Sequence, residues 1–157
     1  MSWMLKPSAF IIAPHIGGIA GSFITRDSVK TWYKDIKKAP WTPPNWVFGP
    51  VWTSLYTGMG YASYLVYRDG GGFEGEASTA LQLYAGHLAL NWLWTPLFFG
   101  KKKFGLAAIE ILFLAGSIVG CAVKFYPINK TASYIMLPYL AWACYASTLN
   151  IYIWLKN

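Results

Sequence analysis

Almost every charged side chain in this sequence falls in a short cluster between apolar stretches of about 20 residues, the length a helix needs to cross hydrocarbon. No water reaches the backbone there, so each stretch must close its hydrogen bonds internally as a helix, and an open sheet is excluded. Composition agrees. Of the residues 55% are hydrophobic and 12% charged, where a soluble domain carries roughly 25% charged residues. The expected fold class is an all-α integral membrane protein, a five-transmembrane-helix bundle forming a single domain over residues 1–157. Its spans are expected at about 8–25, 46–67, 79–99, 105–125 and 132–155. A long loop, 26–45, joins the first two, a connection holding Gly70, Gly71 and Gly72 joins the next, and the remaining links are tight turns.

An odd number of crossings puts the termini on opposite sides, and the basic residues orient them. Arg26, Lys30, Lys34, Lys37, Lys38, Lys101, Lys102, Lys103 and Lys156 fall on one side; Lys6, Arg68, Lys124 and Lys130 fall on the other. Nine against four makes the first side cytosolic, and with it the long loop and the C-terminus. This placement also accounts for the net charge of +7 without nucleic acid as a partner, because the cations flank spans instead of lining one helical stripe. Met1 to Pro7 lacks the small-residue cleavage pattern, so no cleaved signal peptide is expected. Cys121 and Cys144 lie in separate apolar stretches and read as packing; no metal site and no required cofactor are expected.

One span carries an amide. Asn91 stands beside Trp92 and Trp94 in the apolar run Leu88 to Gly100, which ends at Lys101, Lys102 and Lys103. Hydrocarbon does not tolerate an unpartnered amide, so a ligand or a neighbouring helix must meet it. At 1.5 Å of rise per residue, Trp52 lies about 9 Å below the cytosolic end of its span. Trp94 sits at a similar depth, with Asn91 one turn deeper on the same face. Trp142, Ala146 and Leu149 share a face of the fifth span, and Ser22 and Thr25 close the first at the same level. Residues of four helices thus converge in the cytosolic half of the membrane, as a pocket would require. Trp52, Trp94 and Trp142 lie deeper than an interfacial belt and serve either as pocket wall or as bundle filler. Trp3, Trp32, Trp41, Trp46 and Trp154 are expected as belt anchors.

His15, His87 and Glu110 are too few and too scattered for a proton relay across the membrane. His15 follows Pro14, where a helix kink frees backbone carbonyls for it. Small residues four apart (Gly17 and Gly21, Gly58 and Ala62, Ala85 and Ala89, Gly116 and Gly120) let helix backbones approach, within one bundle or between protomers.

The run Lys38-Ala39-Pro40-Trp41-Thr42-Pro43-Pro44-Asn45-Trp46-Val47-Phe48-Gly49-Pro50-Val51-Trp52 resembles the signature of the translocator protein family, also known as the peripheral benzodiazepine receptors or tryptophan-rich sensory proteins. The likeness continues through Leu55-Tyr56, Met59-Gly60-Tyr61, Asn91 to Gly100 and Leu137-Pro138-Tyr139-Leu140-Ala141-Trp142, with details nearer the animal than the bacterial pattern. It implies a five-helix, dimeric bundle of the mitochondrial outer membrane. The implied ligands are cholesterol, protoporphyrin IX and synthetic compounds of the benzodiazepine and isoquinoline-carboxamide types. Positions similar to the family's ligand contacts are Ser22, Trp52, Asn91, Trp94, Trp142, Ala146 and Leu149.

Some bacterial members degrade protoporphyrin in light, and the two tryptophans implicated there match Trp52 and Trp142. The family's sterol motif at the end of the fifth helix is altered here. Leu149, Tyr152 and Lys156 fit only its loose form, displaced by one residue, which is about 100° of helix rotation. Three classes of function follow: a membrane binding protein for sterols and porphyrins that aids their transfer, a light-dependent porphyrin-degrading enzyme, and an outer-membrane scaffold.

Overall fold

The computed structural model describes residues 5–157, so the expectation for Trp3 lies outside the described residues. Five helices account for most of it: α1 Pro7–Lys30, α2 Phe48–Asp69, α3 Gly75–Thr95, α4 Phe104–Phe125 and α5 Lys130–Lys156, with no strand among the described residues. Among the helix ends that differ from the sequence expectation, two have a clear physical reason.

The first helix does not stop at residue 25. A charge ends the hydrocarbon but not the helix, and α1 runs one further turn through Arg26 and Asp27 to Lys30. There Ser28 is buried and its hydroxyl donates to the Phe99 carbonyl at 3.1 Å. At the other departure, α3 ends at Thr95. Pro96 has no N–H for a regular helical bond, and the chain passes into a π turn, Pro96–Gly100, before reversing into α4. The Lys101 and Lys103 amides close this turn on the Pro96 and Leu97 carbonyls, and Lys102 takes a left-handed φ of 56°.

Helices α2 to α5 share one apolar core, in which Met59, Leu88, Ile111, Leu114, Met136 and Tyr139 are buried. Helix α1 lies on that core through glycines. A Cβ at Gly60 would sit 2.5 Å from the Phe10 carbonyl oxygen, so α1 and α2 touch backbone to backbone; Gly17 and Gly21 of α1 face Trp92 and Thr95 of α3. Of the other small residues, Gly58 faces Ile135 of α5 and Gly120 faces Leu83 of α3, whereas Gly116 meets nothing and Ala85 and Ala89 are exposed.

The exterior is apolar. Ile12, Ile16 and Phe23 line the outer face of α1, and Leu112, Phe113 and Val123 that of α4. These two helices are long and apolar enough to cross a membrane. In α2, α3 and α5 polar side chains interrupt the apolar run, and Ser63, His87, Asn91, Ser147 and Asn150 among them are buried.

The long first loop is short turns strapped to α5. Lys37 exchanges two hydrogen bonds with the Asn157 side chain, at 3.0 and 2.9 Å. The Trp41 indole donates to Thr148 at 3.1 Å, and the Tyr145 hydroxyl donates to the Trp41 carbonyl.

Candidate functional site

Beneath that loop, the helices enclose a cavity of about 470 Å³, within the roughly 300–1,000 Å³ typical of small-molecule sites. Ser22, Trp52, Asn91, Trp94, Ala146 and Leu149 all line it, as does Thr25. Trp142, the seventh position expected there, is not on the lining. Its ring stands behind Trp52, edge to face at 6.4 Å, and its Nε1 is buried without a hydrogen-bond partner among the described residues. The structure splits the sterol pattern. Leu149 faces the cavity, whereas Tyr152 packs edge-on against Trp41 at 5.5 Å and Lys156 lies over the Tyr152 ring at 5.9 Å.

The walls are aromatic. Trp52 leans on Tyr56 at 5.5 Å, and Trp94 stacks on Phe98 at 4.7 Å and 18°. Two amides hold these walls in place. The Trp94 indole donates to Asn150 Oδ1 at 2.8 Å, and Asn150 Nδ2 donates to the Phe104 carbonyl at 2.9 Å, which ties α3, α5 and α4 together.

Asn91 is 5% exposed and already engaged with two helices. The Tyr56 hydroxyl donates to Asn91 Oδ1 at 3.1 Å, and Asn91 Nδ2 donates to the Tyr139 oxygen at 2.6 Å. Tyr139 lies 2.7 Å from His87 Nε2, and His87 Nδ1 lies 3.1 Å from the Tyr84 carbonyl. A carbonyl only accepts, so Nδ1 carries the His87 proton and Nε2 accepts from Tyr139. The direction of every bond from Tyr56 to Tyr84 follows. One polar chain runs from the cavity lining into the bundle centre, and each of its links pairs a donor with an acceptor.

Ser22 donates to the Ile19 carbonyl at 2.6 Å, within its own helix, which leaves its oxygen lone pairs beside the cavity. His15 also lines the cavity, but the carbonyls near Pro14 are not its partners. His15 Nε2 meets Thr57 Oγ1 at 3.0 Å, and the Pro14 carbonyl accepts from the Trp92 indole at 3.2 Å. Glu110 is 6% exposed, neither carboxyl oxygen is bonded among the described residues, and it does not line the cavity.

Tyr56, Tyr139, Asn150 and Arg26 belong to this site without having been singled out for it in the sequence. Asn150 carries the signal that picked out Asn91, an amide within an apolar run. Tyr56 follows Trp52 by one helical turn, which puts both on one face.

The sequence profile of the TspO/MBR family matches residues 10–155. The translocator protein of Homo sapiens is 42% identical over 148 residues, covering 94% of this chain and 88% of its own length. That of Bos taurus is 41% identical with the same coverage. The tryptophan-rich protein TspO of Archaeoglobus fulgidus is 40% identical over 154 residues, 98% of both chains. With five helices, an apolar exterior and this match along nearly its whole length, the chain belongs to the TspO/MBR family of membrane proteins.

Proposed function

We propose that this protein is a five-span membrane receptor whose cytosol-facing half binds flat, largely apolar polycycles, protoporphyrin IX and cholesterol among them, and aids their movement between membrane and cytosol. Compounds of the benzodiazepine and isoquinoline-carboxamide types would enter the same cavity. The observation that carries this reading is the 470 Å³ cavity itself: tryptophan and phenylalanine rings for walls, and the Tyr56–Asn91 pair to orient a ligand. Nine basic residues beside the cavity end support a cytosolic mouth and a cytosolic C-terminus. The mitochondrial outer membrane and a homodimer are proposed from the animal-type motifs alone.

The test is quenching of tryptophan fluorescence by protoporphyrin IX in detergent or nanodiscs. Trp52→Ala removes a wall and Ala146→Phe fills the cavity, and each should weaken binding by about tenfold or more. Unchanged affinity in both variants would overturn the assignment.

A second reading, light-dependent breakdown of bound porphyrin by oxygen, is favoured by one observation: the oxidisable Trp142 lies 6.4 Å behind Trp52 on the wall. Under illumination the wild type should bleach protoporphyrin faster than a Trp52→Phe, Trp142→Phe double variant. Equal rates would dismiss it.

A further inference from the structure

Among the side chains around the cavity, one carries a full charge of a single sign. Arg26 lines it, and no aspartate or glutamate does. Four residues before it on α1, Ser22 lines the wall, so Arg26 stands one turn, about 6 Å, nearer the cytosolic end. Tyr33 of the first loop and Asn45, just before α2, line the cavity with it at that mouth.

Nothing acidic within the bundle takes up this guanidinium. The ion pair among the described residues joins Arg68 to Asp69, at the opposite end of α2. Asp27, next in sequence, lines a separate outer groove with Phe23, Thr31 and Lys102. Asp35 does not line the cavity either. The nearest interaction of Arg26 is weak: its guanidinium carbon lies 5.6 Å from the Phe23 ring. Lys38, beside the lining Tyr33, is already committed, because its Nζ donates to the Tyr33 and Lys34 carbonyls at 2.9 and 3.4 Å.

An apolar, aromatic cavity with one free guanidinium at its mouth matches one shape of ligand. We infer that Arg26 is the anion anchor of the site, selecting flat polycycles that carry a carboxylate at one edge and seating them ring inward, carboxylate outward. This rests on the cavity being the porphyrin and sterol site, and it ranks the two. Protoporphyrin bears both propionates on one edge and is apolar on the other, so its vinyl edge enters toward Trp94 and Asn91 while a propionate meets Arg26 in a bidentate, charge-assisted pair. A sterol offers only a neutral hydroxyl and leaves the guanidinium unmatched.

The test compares protoporphyrin IX with its dimethyl ester, the same ring with both charges masked, each titrated by tryptophan quenching. The ratio of the two affinities is read, so that a variant's partial loss of fold cancels. Wild type should favour the acid by roughly tenfold or more, the preference should shrink with added salt, and Arg26→Gln should bring the ratio near one. Arg26→Lys keeps the charge without the planar fork and should retain an intermediate ratio.

Trp52→Ala separates this inference from the reading beneath it. If both probes weaken in Trp52→Ala and Arg26→Gln still keeps the wild-type ratio, the anchor is overturned and the cavity stands. If neither probe weakens in Trp52→Ala or in Ala146→Phe, the cavity is not the porphyrin site and both fall.

Discussion

Tyr139 shows how a polar group is kept inside this bundle. Its hydroxyl accepts from Asn91 at 2.6 Å and donates to His87 at 2.7 Å, so two side chains of α3 are satisfied by one atom of α5. Tyr139→Phe keeps the shape and removes that atom, leaving a buried amide hydrogen and a buried imidazole nitrogen unpaired. We expect a loss of about 1–3 kcal/mol of stability, read as a lowered unfolding temperature in detergent. His87→Leu breaks one of the same bonds, so the double variant should lose less than the two singles combined; strict additivity would refute the shared chain. The sequence marked Asn91 as an anomaly and left two explanations open, ligand or helix. The structure supplies the helix partners, since Asn91 is held by α2 and α5, and it also puts Asn91 on the cavity lining. What the sequence lacked was the azimuth of Tyr56 and Tyr139, because a tyrosine in an apolar run looks the same whether its hydroxyl points to lipid or to an amide.

Helix positions were legible wherever hydrophobicity defined them, and less so where sterics did. The apolar runs located all five helices, but the extension of α1 to Lys30 and the π turn after Pro96 depend on Ser28 meeting Phe99 and on the proline's missing N–H. Glycine gives the sharper lesson, because equivalent-looking glycines differ in what they face. At Gly60 a methyl group would press on the α1 backbone at 2.5 and 2.7 Å, whereas at Gly86 of α3 it would meet nothing within 4 Å. Gly60→Ala should therefore destabilise the protein by about 1–3 kcal/mol, and Gly86→Ala should be neutral or stabilise it by up to about 1 kcal/mol through helix propensity. Thermal unfolding of the pair checks this; equal effects would show that α1 can shift away.

The first loop makes a kinetic prediction at the same scale. The Trp41 indole is one of its straps to α5, and Trp41→Phe removes the bond to Thr148 while keeping an aromatic ring. With about 1 kcal/mol less holding the loop, bound protoporphyrin should leave roughly fivefold faster in stopped flow.

Across the whole molecule, charge separates the two ends. One end gathers the nine basic residues, the cavity mouth and the strapped loop; the other is closed by Asp69. Topology can be read directly. With Cys121 and Cys144 replaced by alanine, Lys37→Cys should react with an impermeant maleimide from the cytosolic side and Gly71→Cys only from the other, and the reverse pattern would invert the bundle.

The far end also has a pH signature. Asp69 lies beyond the apolar part of α2 and accepts hydrogen bonds from Arg68 at 2.7 and 3.2 Å and from Asn129 at 2.6 Å. Asn129 in turn caps α5, its Oδ1 accepting from the Ala132 amide at 2.9 Å, so one carboxylate clamps the end of α2 to the start of α5. The Arg68 hydrogen bond, with help from Asn129, holds the Asp69 carboxyl below its ordinary value of 3.8, against a smaller upward push from burial. A carboxyl depressed in the folded state stabilises the protein above the unfolded value, and that contribution fades as pH falls through the lower folded value. The clamp is exposed, so its contribution is small and weakens further with salt. The gap in unfolding temperature between wild type and Asp69→Asn should accordingly be constant from neutral pH down to about pH 5, where an ordinary carboxylate is still charged, and then narrow with further acidification. A gap that widened in acid would mean that the clamp is not formed by the ionised carboxylate.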